Sequence, residues 1–320
     1  MRRTRLAAQL LALGIVLWFA AATLRGQWSA VAAAARDLQP EWSYIVAASG
    51  IMLAAYALLI QLWRGMLASV GSPVPYGEAA RVWLASSLGR YVPGKVWQLG
   101  ALSVMLQRHG IPALTSTTVA LLNVLINTVV GFLVAFAAGA GAARVPTAAV
   151  VAIAALAAAL VLAPALLPPL ATVAARITHH SLAVLHVPAR TIWVNAAGSA
   201  LQWVMYGVAF QLFTRGLLGR APGPLSAYVA TFSLSYLIGF VALFAPGGIV
   251  VRELALAQSL VAAGLATVPQ AAVLALTSRL WLTVLELGTG FAALGVRPGT
   301  GGESGERTAD AQPSRGNRMP

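Results

Sequence analysis

Cysteine is absent from this chain, which excludes disulfides, thiolate metal sites and cysteine nucleophiles. Charge is also scarce: 9% of residues are charged, and Asp and Glu together number 8. A soluble domain carries roughly 25% charged residues, so this chain has too few to cover a water-facing surface. Lysine occurs once, at Lys95, among 21 basic residues. With abundant alanine, that bias is the usage of a GC-rich bacterial genome. Nucleotide-binding loops, His-Glu metal pairs and nucleophile elbows are missing too. These gaps argue against an enzyme, and no catalytic residue, cofactor or metal site is expected.

What fills the chain is apolar: 59% of residues are hydrophobic and mean hydropathy is +0.80. Lipid is the solvent such a composition suits. Its charges punctuate long apolar runs, with 19 uncharged residues between Arg5 and Arg25 and 22 between Glu41 and Arg64. A crossing helix needs about 20. Spans are expected near 6–24, 42–63, 113–138, 147–170, 191–213, 225–245 and 270–294. The fold class is all-α, a polytopic transmembrane bundle of seven or eight spans. The first run is longer than a signal-peptide core of about 7–15 residues, which favours an uncleaved anchor. Past residue 296 the composition turns to Gly, Ser, Glu, Arg and Pro. The chain thus divides into a membrane domain over 1–296 and a polar tail over 297–320, expected to be disordered.

With these spans, ten basic residues, including Arg64, Lys95 and Arg190, fall on the N-terminal side, against five opposite, including Arg144 and Arg220. The positive-inside rule then puts the N-terminus in the cytoplasm, in a multi-pass plasma-membrane protein. The net charge of +13 reads as a topology signal with some attraction to anionic lipid. No aromatic-basic stripe for single-stranded nucleic acid is present, so no nucleic-acid partner is expected.

Two segments depart from plain spans: Ser87 to Leu99, containing Arg90, Pro93, Gly94 and Lys95, and Phe244 to Leu254, containing Pro246, Gly247, Gly248, Arg252 and Glu253. Each has a Pro-Gly break and then a short apolar helix pattern, ending at Gly110 or Gly264. Lys95 to Arg108 encloses 12 uncharged residues, too few to span, and a re-entrant or half-helix suits that length. The pair reads as a weak internal repeat. Gly/Pro-interrupted segments in matching positions point to the substrate site of repeat-built transporters, because a half-helix start leaves unpaired N–H groups that favour an anion. Two surface turns are the plainer reading of the same breaks.

The run Pro93-Gly94-Lys95-Val96-Trp97 and, above all, Pro246-Gly247-Gly248-Ile249-Val250-Val251-Arg252-Glu253 resemble the two signature regions of the lysylphosphatidylglycerol synthase transmembrane-domain family, also called flippase-like domain proteins. The resemblance covers roughly residues 5–295. Val250 stands where that family often has glycine, and Trp97 where small residues are common. The resemblance implies lipid handling, and not lysyl transfer, since the aminoacyl-transferase domain that accompanies this region in full-length relatives is not seen here. The expected function is translocation of a phospholipid or lipid-linked saccharide in a cell-envelope pathway. The alternative is a non-transporting scaffold or accessory subunit, with an envelope glycosyltransferase as its partner.

Arg279 and Glu286 share one face of the last span, seven residues apart. They either pin helix packing, with Arg279 pairing Glu286 or Glu253, or contact an anionic headgroup. Asn123 with Asn127, and Asn195 with Gln202, share faces that suit helix-to-helix hydrogen bonds. Glu78 and Arg81 suit an interfacial helix above Val82, Trp83 and Leu84. Headgroup candidates are therefore Arg90, Pro93, Gly94, Lys95, Pro246, Gly247, Gly248, Arg252, Glu253, Arg279 and Glu286.

Overall fold

The structure, a computed structural model, describes residues 38–91, 97–139, 187–242 and 250–295, together with 33, 36, 151–152, 154–163 and 165. Its regular elements are all helical among the described residues: α1 Trp42–Ser69, α2 Tyr76–Ser87 running into a 3-10 turn Leu88–Tyr91, α3 Trp97–Gln107, α4 Ala113–Gly139, α5 Ala154–Ala163, α6 Ala189–Leu218, α7 Leu225–Val241, α8 Val251–Ala262 and α9 Val268–Gly295. Prolines set several starts. Pro75, Pro188 and Pro224 immediately precede α2, α6 and α7, where a missing N–H costs the helix nothing.

Three helices, α1, α4 and α9, are long and apolar enough to cross a membrane, and they coincide with the spans expected at 42–63, 113–138 and 270–294. Helix α6 overruns its expected 191–213 and reaches 30 residues, roughly 45 Å. Asn195, Gln202 and Gln211 dilute its hydropathy and keep it outside those three. Helix α7 stops at Val241 after 17 residues, short of 245. The run expected at 6–24 and the tail at 297–320 lie outside the described residues, while the stretch expected at 147–170 is described in part and contains the 10-residue apolar helix α5.

Polarity runs opposite to that of a water-soluble domain. Asn123, Asn195, Ser199, Gln202, Ser233, Ser235 and Arg252 are buried, while Leu125, Leu280, Val284 and Phe291 stand at least 58% exposed. The buried amides join helices: Asn195 Nδ2 donates to Asn123 Oδ1 at 2.8 Å, and Asn127 Nδ2 to Gln202 Oε1 at 2.7 Å. The sequence marked these four amides as suited to helix-to-helix hydrogen bonds without saying which would pair. Backbones also approach closely, as at Gly207, where a Cβ would lie 2.6 Å from Val229 Cα. Small residues and amide bonds are what hold helices together where no hydrophobic drive separates protein from solvent.

The chain folds as two halves of the same plan. In the first, Gly71 follows the end of α1, Pro75 precedes α2, a break separates α2 from the 11-residue α3, and Gly110 turns the chain into α4. In the second, α6 ends at Gly219, Pro224 precedes α7, a break precedes the 12-residue α8, and Gly264 turns the chain towards α9. All four glycines have positive φ, between 68° and 78°, as left-handed helix ends require. The two later turns share their hydrogen bonds. Gly110 N–H donates to Gln107 and Ile111 N–H to Leu106; Gly264 N–H donates to Val261 and Leu265 N–H to Leu260. Packing is reciprocal: α4 lies on α7, and α9 on α2.

The halves are inverted. Helices α1 and α6 form the most extensive helix pair and run antiparallel. Glu41 N–H, at the start of α1, donates to Gly216 O near the end of α6 at 2.7 Å, and Leu62 lies over Gly198. Conversely, α4 runs parallel to α6, as the order Asn123–Asn195 then Asn127–Gln202 requires, and α9 runs parallel to α1, as Ser49–Trp281 then Tyr56–Glu286 requires. The two halves therefore run in opposite directions.

Candidate functional site

Where the two halves meet there is a cavity of about 340 Å³. The first half contributes Trp83 from α2, Gln98 from α3, and Asn123, Asn127 and Thr128 from α4. From the second come Trp203, Tyr236, Arg252, Arg279 and Glu286. Gln98 and Arg252 occupy matching places, each twelve residues before its turning glycine.

Arg252 sits in the first turn of α8 and is 5% exposed. Its guanidinium lies 4.6 Å from the centre of the Tyr236 ring and 5.3 Å from that of Phe232. The rings belong to an α6–α7 aromatic cluster in which Trp203 meets Tyr236 edge-on at 5.6 Å and Tyr206 meets Phe232 at 6.2 Å. Helix α7 comes close enough only because residue 239 is glycine: a Cβ there would fall 2.7 Å from Arg252 Cβ. Arg252 Nη2 is buried without a hydrogen-bond partner among the described residues. Stacking fixes the ring-facing side of the guanidinium and leaves its in-plane N–H donors for an acceptor.

Glu253, next in the chain, is engaged elsewhere. Its Oε2 accepts from the N–H of Val250 at 2.6 Å, capping α8. Its Oε1 is 3.7 Å from Arg279 Nε, so one of the two pairings open to Arg279 in the sequence is present. Glu286, about two turns along α9, accepts from the Tyr56 hydroxyl at 3.5 Å. Val250 itself has φ +73° and ψ −46°, a conformation costly for a β-branched residue.

Of the residues singled out in the sequence, the structure brings Arg252, Arg279 and Glu286 to one cavity, with Glu253 behind them on Arg279. Arg90 lies in the 3-10 turn after α2. Pro93, Gly94, Lys95, Pro246, Gly247 and Gly248 fall outside the described residues. Sequence reasoning missed Gln98, Trp83, Trp203 and Tyr236. Their signal was present as polar or amphipathic side chains inside apolar runs, but it does not say which way a helix turns. The Glu78–Arg81 pair forms at 2.9 Å on α2, above the buried Val82 and Trp83, away from the cavity walls. Among the described residues no group of metal-ligating side chains occurs.

No protein-family model matches the chain, and no curated protein does.

Proposed function

We propose that this protein is a membrane-embedded lipid translocase of the flippase-like type, moving an anionic headgroup through the cavity between its inverted halves. The observation that carries the proposal is Arg252, a buried cation on the cavity wall with an unpartnered Nη2. Burying an arginine at mid-membrane costs about 3 kcal/mol on insertion scales. Two ring faces return only about 0.5–2 kcal/mol. An anion completing the guanidinium's bonds supplies the difference, and a headgroup phosphate is the anion a membrane offers. Inverted repeats with broken helices at their interface are the architecture of alternating-access transporters.

In this reading the helices cross the plasma membrane seven or eight times, with the N-terminus in the cytoplasm and α3 and α8 as half-helices. Parallel α4 and α6 demand that the chain from Gly139 to Ala189 come back along their length, which supports a further crossing there. The resemblance of the Pro246–Glu253 run to the flippase-like signature points the same way. The tail beyond residue 296 is dispensable for transport in this scheme.

Purified protein in liposomes carrying a fluorescent anionic phospholipid, bleached from outside by dithionite, tests the proposal. Wild type should move the lipid between leaflets. Arg252→Ala should slow movement at least about tenfold, the effect of losing one charge-assisted bond, and Arg252→Lys should restore it only in part. Equal rates for wild type, Arg252→Ala and protein-free vesicles would overturn it and favour the scaffold.

A further inference from the structure

The cavity's two walls differ in chemistry. The second half brings Arg252, Arg279 and Glu286; the first brings the neutral Gln98, Asn123, Asn127 and Thr128. At the matched places twelve residues before the turning glycines, one half has Arg252 and the other Gln98. Asn123 is 1% exposed, and while its Oδ1 accepts from Asn195, its Nδ2 has no hydrogen-bond partner among the described residues. The cavity is therefore lined by two buried side chains with unmet donors, one charged and one neutral, contributed by opposite halves.

Leaving a buried donor unpaired costs about 1–3 kcal/mol, so each donor needs an acceptor in the working state. We propose that the headgroup has two parts: a phosphate taken by Arg252 and a neutral hydroxyl-bearing group, such as a polyol or sugar, taken by the amide wall around Asn123. This rests on the translocase proposal and adds the class of headgroup. Hydroxyls both donate and accept, which is what amides offer; an ammonium only donates and gives Asn123 Nδ2 nothing. The two carboxylates do not argue for an ammonium site: Glu253 Oε1 makes no hydrogen bond among the described residues but is ion-paired with Arg279 at 3.7 Å and does not line the cavity, and Glu286 accepts from Tyr56. Trp83 and Trp203 complete the walls with apolar surface.

Binding to purified full-length protein in detergent, followed by tryptophan fluorescence, separates the parts. The probes are short-chain phosphatidylinositol (phosphate plus polyol), phosphatidic acid (phosphate alone), phosphatidylethanolamine (phosphate plus ammonium) and inorganic phosphate. Phosphatidylinositol should bind about tenfold more tightly than phosphatidic acid, one added hydrogen bond to a buried donor. Asn123→Leu with Asn195→Leu, which removes both amides so that neither is orphaned, should erase that margin while leaving phosphatidic acid unchanged. Gln98→Leu, on the short α3, provides a second variant expected to narrow the margin. Arg252→Ala should weaken both lipids equally.

Equal wild-type affinities for the two lipids, tighter binding of phosphatidylethanolamine, or competition by inorganic phosphate as strong as by phosphatidylinositol would each overturn the two-part site. So would a loss of both lipids together in the amide variants, or binding of no lipid at all. Transport is read separately in liposomes: selective binding without movement between leaflets would sink the translocase and spare the site, and movement without selectivity would do the reverse.

Discussion

At the scale of single residues, Val250 is the place where local chemistry and local conformation disagree. A side chain at φ +73° costs about 1–2 kcal/mol, and a branched β-carbon makes crowding worse. Glycine there loses more entropy on folding, about 0.5–1 kcal/mol, but removes the clash. Val250→Gly should therefore raise thermal stability by about 1 kcal/mol or less, with Glu253 still able to accept from the residue 250 N–H. A drop in melting temperature would mean that the valine side chain supplies packing worth more than its strain. The glycine common at this place in the resembled family fits that conformation.

Arg252 and Glu253 illustrate a second limit at this scale. Adjacent opposite charges in a sequence suggest a mutual pair, yet neighbours on a helix point about 100° apart. Glu253 turns back to its own helix start and to Arg279, while Arg252 goes under the aromatic cluster. Nothing in the order of residues distinguishes these outcomes, because they depend on which helix arrives at residue 239.

Among elements, α8 depends on its N-terminal carboxylate more than on its own length. Twelve residues are near the limit at which a helix holds without support, and the helix buries Arg252, Leu256 and Leu260. Glu253→Gln keeps an oxygen to accept the Val250 N–H at the position a capping box uses. Glu253→Leu keeps none. The leucine variant should be less stable than the glutamine variant by about 1 kcal/mol, read as the difference in midpoint of thermal unfolding in detergent. Identical midpoints would mean the 2.6 Å contact contributes nothing to the helix.

The long helices were legible because length and hydropathy are local properties: α1 and α4 lie where uncharged runs put them, and α9 is apolar enough to show despite Arg279 and Glu286. The short helices were legible from their Pro-Gly breaks and terminal glycines. Helix α6 covers its expected stretch, and the amides Asn195 and Gln202 that lower its hydropathy are the ones that bond to α4. The cavity was legible only on its charged side. Charge inside an apolar run is conspicuous, whereas an amide is ordinary glue until one of its atoms, such as Asn123 Nδ2, is left without a partner.

For the molecule as a whole, inversion makes a claim that labelling can check. The α1–α2 junction and the α6–α7 junction occupy matching places in oppositely oriented halves, so in a membrane they must face opposite sides. The absence of cysteine makes single-cysteine variants clean. Arg220→Cys, after α6, should react with an impermeant maleimide added to whole cells. Ser72→Cys, after α1, should react only once the membrane is opened. Reaction of both from the same side would contradict inversion across the bilayer, and exchange of the two patterns would reverse the orientation derived from the basic residues.

Matched halves of opposite orientation carry a historical consequence. A single gene for one half, inserting in either direction with similar ease, would give an antiparallel homodimer with the interface that α1 and α6 now form. In such a dimer every side chain at the central cavity occurs twice, so a buried arginine would face its own copy and repel it. Joining two copies in tandem lifts that constraint. In a tandem chain one half can carry Arg252 where the other has the uncharged Gln98. The asymmetry of the cavity is one that a homodimer of a single half could not hold.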